Sequence, residues 1–321
     1  MSAFSAILPA RWVKKWRSAV LSWALLFALA VVPLLIPSPN FKRLLFTTFL
    51  WVTTSIAWNL LGGFAGQVSF GFAVFYGIGA YTTALLMNAG VDPFIAFLAS
   101  ACTAALVSLV VGLPAFRLRG PYFAIATIGI SEAVRVVMTN LSFTGGASGY
   151  RIVEHRPFSQ LEHYYTALLL AAVAFTISWM IAHAKFGVGL SAIRQDEDAA
   201  ADLGVNPYTH KLAAHALAAA LTGMAGGVFA RYAAFIHPGG VFGFHTSVQI
   251  LLMPVIGGIA TVWGPVLGGF VFGIVEEEIV ATFPQIHLLL YGVLLILIIL
   301  FEPGGILGGL NRVVRRFRGK H

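Results

Sequence analysis

Charge is scarce in this chain. Only 10% of its 321 residues are Asp, Glu, Lys or Arg, and 59% are hydrophobic. Ordinary soluble domains carry about a quarter charged residues, so a soluble globular domain is excluded. Cysteine is nearly absent as well. The single Cys102 lies inside an apolar run, which rules out a disulfide framework and a cysteine metal site. The nine histidines show no HExxH or other paired ligand spacing, so no metal site is expected. No GxxxxGK[ST] stretch occurs, and the chain therefore binds no ATP through a P-loop of its own. "GASG" at 146–149 hints at a serine nucleophile, but "YRIVEHRP" follows it, which no membrane helix would bury. No catalytic residue is expected.

What the chain does have is long uncharged stretches. None of Ser18–Phe41, Leu44–Val91, Pro93–Phe116, Tyr164–Ile181 and Thr246–Val275 carries a charge, and a helix needs about 20 apolar residues to cross a bilayer. The stretches do not alternate apolar and polar at period two, so a β-barrel is excluded. The net charge of +8 could suggest a nucleic-acid partner, but its placement argues against one. Arg11, Lys14, Lys15 and Arg17 precede the first stretch, and Arg312, Arg315, Arg316, Arg318 and Lys320 follow the last. This is the positive-inside pattern of a multi-pass protein with both termini cytoplasmic. The basic N-terminus also has the look of a signal peptide. Its apolar stretch is longer than a usual signal core and no cleavage site follows, so an uncleaved first span is expected.

These observations predict an all-α polytopic membrane protein with about ten transmembrane helices and Gly-interrupted segments. It forms one transmembrane domain over 1–321, membrane-embedded from about 18 to 302. Spans are expected near 18–36, 44–61, 70–88, 94–115, 121–139, 164–184, 211–230, two within 247–282 divided at Gly264-Pro265, and 286–302. The dense polar segment at 185–211 then falls on the cytoplasmic side.

Two features stand out inside the membrane. "NLLGGFAGQVSFGFAVFYGIGAY" (59–81) and "GGIATVWGPVLGG" (257–269) are rich in glycine. Small residues allow close helix packing in lipid. They also interrupt helices, and irregular backbone at membrane depth survives only when buried in protein or lining a wet cavity. Both readings fit. On the second, Gly63, Gly66, Gln67, Ser69, Gly257 and Gly258 border a translocation path. The other feature is the charge pair Glu132 and Arg135, whose i,i+3 spacing lets them meet on one helix face. An unpaired charge at membrane depth is costly, so mutual pairing is expected. The sharper reading adds that the pair lines the path inside the bundle.

Six stretches, in order, resemble the permeases of bacterial branched-chain amino-acid ABC importers, most nearly the M-type of the two permease subunits: the 59–81 glycine segment, "GPYFAIATIGISEAVRVVMTN", "TGGASG", the run 189–230, "VIGGIATVWGPVLGG" and "FEPGGILG". The resemblance covers roughly 44–310. It implies a transport subunit, not an enzyme, in the bacterial cytoplasmic (inner) membrane. Its implied partners are a second homologous permease, two cytoplasmic ATPases that bind ATP and Mg, a periplasmic or extracytoplasmic substrate-binding protein, and the lipid bilayer. No cofactor is implied for this chain. Importers of that kind rest an "EAA---G"-like cytoplasmic loop on the ATPase, and "EDAAADLG" fits it. Arg194, Asp196, Glu197, Asp198, Ala199, Ala200 and Gly204 are therefore the expected coupling residues. Acids in the first turn of "DEDAAADL" favour a short helix, and Gly204 and Pro207 stop it. The competing reading is an ion-coupled secondary transporter of a small polar solute, using carboxylates such as Glu132 and Glu277. A third, a membrane enzyme, rests on "GASG" with His215 in a later span.

Overall fold

Among the described residues the uncharged stretches are mostly helical, and prolines mark where several helices start. The computed structural model describes residues 38–153, 157–282, 286–302 and 304–318, together with Leu29, Val31, Pro33 and Ile36. The expected first span near 18–36 and the basic cluster before it lie almost wholly outside the described residues. From there the chain runs α1 (Pro39–Trp58), α2 (Phe72–Asn88), α3 (Pro93–Ala115), α4 (Pro121–Asn140) and α5 (Gln160–His183). Next come α6 (Lys185–Gln195), α7 (Glu197–Asp202), α8 (Pro207–Ala233), α9 (Pro238–Val241), α10 (Phe244–Gly257), α11 (Gly264–Thr282), α12 (His287–Phe301) and α13 (Gly305–Arg318).

Proline opens α1, α3, α4 and α8, a position where its missing N–H costs nothing. Asp92 caps α3 through Phe94 N, and Asn206 caps α8 through Thr209 N. One antiparallel pair of two-residue strands, β1 (Tyr150–Arg151) and β2 (Phe235–Ile236), clasps the loop after α4 to the loop after α8.

Among the described residues, six helical segments are long and apolar enough to cross a membrane: 39–63, 93–115, 121–140, 160–183, 207–233 and 238–257. The protein is thus an all-α polytopic membrane protein. Helix α2 and the 264–276 part of α11 are apolar but shorter. Each follows a glycine break. The division expected at Gly264-Pro265 falls at the start of α11.

Three helices form the centre of the bundle: α2 and α3 both pack along α8. Here the close-packing reading of the glycines is right. A Cβ added at Gly79 would stand 1.9 Å from the Gly223 carbonyl oxygen, and one at Gly226 would stand 2.0 Å from the Tyr76 carbonyl oxygen. Around this centre, α1 lies against α5 and α11, and α10 lies against α11. By contrast α4 is sparsely covered, with Tyr122, Ile125, Val136 and Val137 exposed.

Candidate functional site

The polar segment departs from the expected form in one respect. Instead of a loop with one short helix, it holds two helices, because "KFGVGLSAIRQ" buries Leu190 and Ile193 and makes α6 of its own. Asp196 breaks the helix in extended conformation and caps α7, accepting from Asp198 N at 3.0 Å and Ala199 N at 2.9 Å. Gly204 ends the turn at φ +85°, where a side chain would be strained.

The expected coupling residues divide by direction. Asp196, Asp198 and Ala199 are exposed, and Asp198 meets Arg119 of the loop before α4 at 3.0 Å. Ala200 is buried. Glu197 turns inward, to the ammonium of Lys211 at 2.7 Å, and Lys211 is fully buried at 0% exposure. This pair bolts α7 onto the first turn of α8, an anchoring role that sequence reasoning missed. Leu203, which it passed over, is 83% exposed at the tip. Arg194 lies against Gly66: a Cβ there would fall 2.9 Å from the Arg194 Cγ. The polar segment therefore touches the first glycine break directly.

That break begins as α1 widens into a π-helical turn, Asn59–Gly63, before the chain turns away at Gly66 (φ +72°). Asn59 is fully buried at the start of the turn. Its Oδ1 accepts from Ala260 N and its Nδ2 donates to Thr261 O, both at 2.9 Å. A buried backbone group left without a partner is costly, and one amide side chain here satisfies two of them across the second break. A Cβ at Gly63 would sit 1.9 Å from Asn59 Oδ1, so only glycine admits this contact. The second break runs from Gly257 through Gly258 (φ +128°) and Ala260 (φ +60°) to Gly264. Thr261 closes it on itself, donating to Gly258 O and accepting from Gly264 N. Gly258 also abuts Gly304 and Leu307 at the start of α13.

Beyond Gly66 the chain runs extended, with Gln67 half-buried, Val68 exposed and Ser69 buried. The Ser69 carbonyl accepts from Trp58 Nε1 at 2.8 Å, which ties the far side of the break back to α1. The structure thus brings Gly63, Gly66, Gln67, Ser69, Gly257 and Gly258 into one joined region. Asn59, which joins them, carried one available signal: an amide at the head of a glycine run in an uncharged span.

Glu132 and Arg135 do pair, with Arg135 Nε donating to Glu132 Oε2 at 2.9 Å and a second contact beside it. The pair does not point into this chain's own bundle. Its side chains are 53% and 34% exposed, on the uncovered face of α4. The reading that the pair lines the interior of this chain's bundle is corrected to that extent.

The branched-chain amino acid transport system / permease component family matches residues 40–299. The chain belongs to this permease family. The permease is 28% identical over 291 residues to the high-affinity branched-chain amino acid transport permease LivM of Escherichia coli, a match covering 81% of this chain and 68% of that one. It is also similar to the probable LivM of Methanocaldococcus jannaschii, at 23% over 311 residues, covering 80% and 90%. The E. coli LivH permease is 26% identical over 280 residues, covering 79% and 90%. No solved structure matches the permease.

Proposed function

We propose that this permease forms half of the path of an ATP-driven importer for branched-chain or related amino acids. A second permease completes the pore, and two cytoplasmic ATPases holding ATP and Mg dock on α7. An extracytoplasmic binding protein delivers the substrate. On this reading the bilayer is the bacterial inner membrane, about ten helices span it, and both termini are cytoplasmic. The observation that carries the proposal is a continuous run of contacts. Exposed Leu203 and the acidic face of α7 offer a docking surface, Glu197 and Lys211 fix α7 to α8, Arg194 abuts Gly66, and Asn59 links the first break to the second. A push on α7 reaches both breaks through packed atoms. The uncovered face of α4, apolar apart from the Glu132–Arg135 pair, suits the second permease.

The test is reconstitution of the permease with its second permease, ATPases and binding protein in vesicles. Uptake of radiolabelled leucine should require enclosed ATP and the binding protein, and should survive collapse of ion gradients. Urea, short amides and aromatic acids serve as competitors to set the substrate. Uptake by the permease alone, driven by an ion gradient, would overturn the proposal in favour of a secondary transporter. Family membership does not favour that alternative.

A further inference from the structure

Away from the breaks, a cavity of about 270 Å³ opens between α1, α2, α8, α10 and α11. That is near the lower end of the roughly 300–1,000 Å³ spanned by small-molecule pockets, which suits a single small metabolite. One wall is polar. Glu276 of α11 accepts from Gln249 Nε2 at 2.8 Å, and Gln249, only 6% exposed, shares a face of α10 with His245 and Thr246. The apolar wall is built from Leu50 and Trp51 of α1 and Phe229 of α8, and Thr47 of α1 and Tyr76 of α2 also line the cavity. We propose that this cavity is a transient binding site, inside the permease itself, for a zwitterionic α-amino acid with an apolar side chain. The inference rests on the importer reading above and adds a substrate-recognising site to it.

The chemistry of the walls selects the ligand. A carboxylate lining a cavity favours a cationic group. In an amino acid that group is the α-ammonium, placed on Glu276. The α-carboxylate then lies toward the start of α10, where the helix dipole is positive, with the His245 and Thr246 side chains alongside. The apolar side chain is left for Leu50, Trp51 and Phe229. A peptide would not fit the volume, and an acidic side chain would have no basic partner on the apolar wall.

The experiment uses the full permease–ATPase complex in nanodiscs, without the binding protein. The permease carries Cys102→Ser and Thr47→Cys, the latter on the cavity wall. L-leucine should slow thiol labelling of the Thr47→Cys variant, while isoamylamine (no carboxylate) and 4-methyl-2-oxopentanoate (no amine) should not. Glu276→Gln should weaken leucine protection by roughly thirtyfold or more, as loss of one partner of a desolvated charge pair does. A second variant, Phe229→Trp, fills the apolar wall and should weaken protection by leucine more than protection by alanine in the same labelling assay, which also covers the case where Glu276→Gln fails to assemble. Protection by sodium alone would overturn the amino-acid site in favour of a cation site. Absence of protection by leucine, for a complex that still imports leucine with ATP when placed in vesicles with its binding protein, would overturn the cavity inference and leave the importer reading intact. An assembled complex that imports no amino acid at all would instead bring down the importer reading.

Discussion

Replacing Asn59 with leucine keeps the volume of the side chain and removes its hydrogen bonds. The Ala260 N–H and the Thr261 carbonyl then lose their 2.9 Å partner. Each buried group left unsatisfied costs about 1–3 kcal/mol, so the two together cost about 2–6 kcal/mol. Water would have to enter to relieve the penalty, yet Asn59 itself is 0% exposed. Ala260 adds to the effect: its φ of +60° is held in place partly by that bond, and an L-residue leaves such a conformation readily once the restraint is gone. Asn59→Leu should therefore lower the thermal midpoint of the purified complex and separate ATP hydrolysis from uptake, with hydrolysis persisting while leucine accumulation falls. Asn59→Asp tests the same geometry from the other side, since it keeps the acceptor for Ala260 N and loses the donor to Thr261 O. The assay is paired measurement of ATPase rate and uptake in vesicles, beside thermal unfolding of the same preparation. An Asn59→Leu variant with wild-type unfolding and uptake would refute the claim that this amide joins the two breaks.

Other outcomes follow from the same contacts. Lys211→Met should destabilise the complex by about 3–5 kcal/mol, because it strands Glu197 beside a buried position; the Lys211→Met/Glu197→Gln double variant should recover much of that loss in a thermal-unfolding cycle, and strictly additive losses would contradict the pairing. Leu203→Glu should leave membrane yield unchanged and reduce co-purification of the ATPases; undiminished co-purification would remove the α7 tip from the docking surface. Arg194→Glu should weaken uptake more than ATPase binding, read by uptake against pull-down in one preparation, since Arg194 abuts Gly66 instead of standing free. Arg135→Leu alone should reduce membrane yield more than Arg135→Leu with Glu132→Leu, measured by quantitative immunoblot, because only the single variant leaves an orphan carboxylate on α4.

Much of the architecture was legible because membrane helices depend on composition over long stretches. The uncharged runs place α3 within a residue or two of the expected 94–115 span, and α4 close to 121–139. Proline after a polar cap marks the starts of α3 and α8 in the sequence itself. The division of the 247–282 region was readable for the same reason, since Gly264-Pro265 both loosens the backbone and withdraws a donor. The helix α6 was less visible. Gly187 and Gly189 interrupt its short apolar pattern, and Leu190 and Ile193, buried against the rest of the protein, give it a face.

The candidate site was legible where one residue's chemistry acts locally and illegible where it acts across the fold. Gly204 and Asp196 stop and cap a helix through their own backbone or their nearest neighbours, so the pattern "DEDAAADLG" reveals them. Asn59 works through partners some 200 positions away, at Ala260 and Thr261. Glu197 finds Lys211 only because the chain doubles back at Gly204 and Pro207, and nothing in an acidic run shows which acid will turn inward. Glu276 stands in a row of three glutamates, and helical rotation alone says only that the three cannot share a face. The cavity and the facing Gln249 on α10 are what single it out. The Glu132–Arg135 pair completes the contrast. Its i,i+3 spacing correctly gave the local contact, but the direction of that face depends on which side of α4 the rest of the bundle covers. An ion pair left on the uncovered side of a membrane helix would be costly against lipid, so its placement there argues that α4 meets another protein surface or water, as the second permease of the proposed importer would supply.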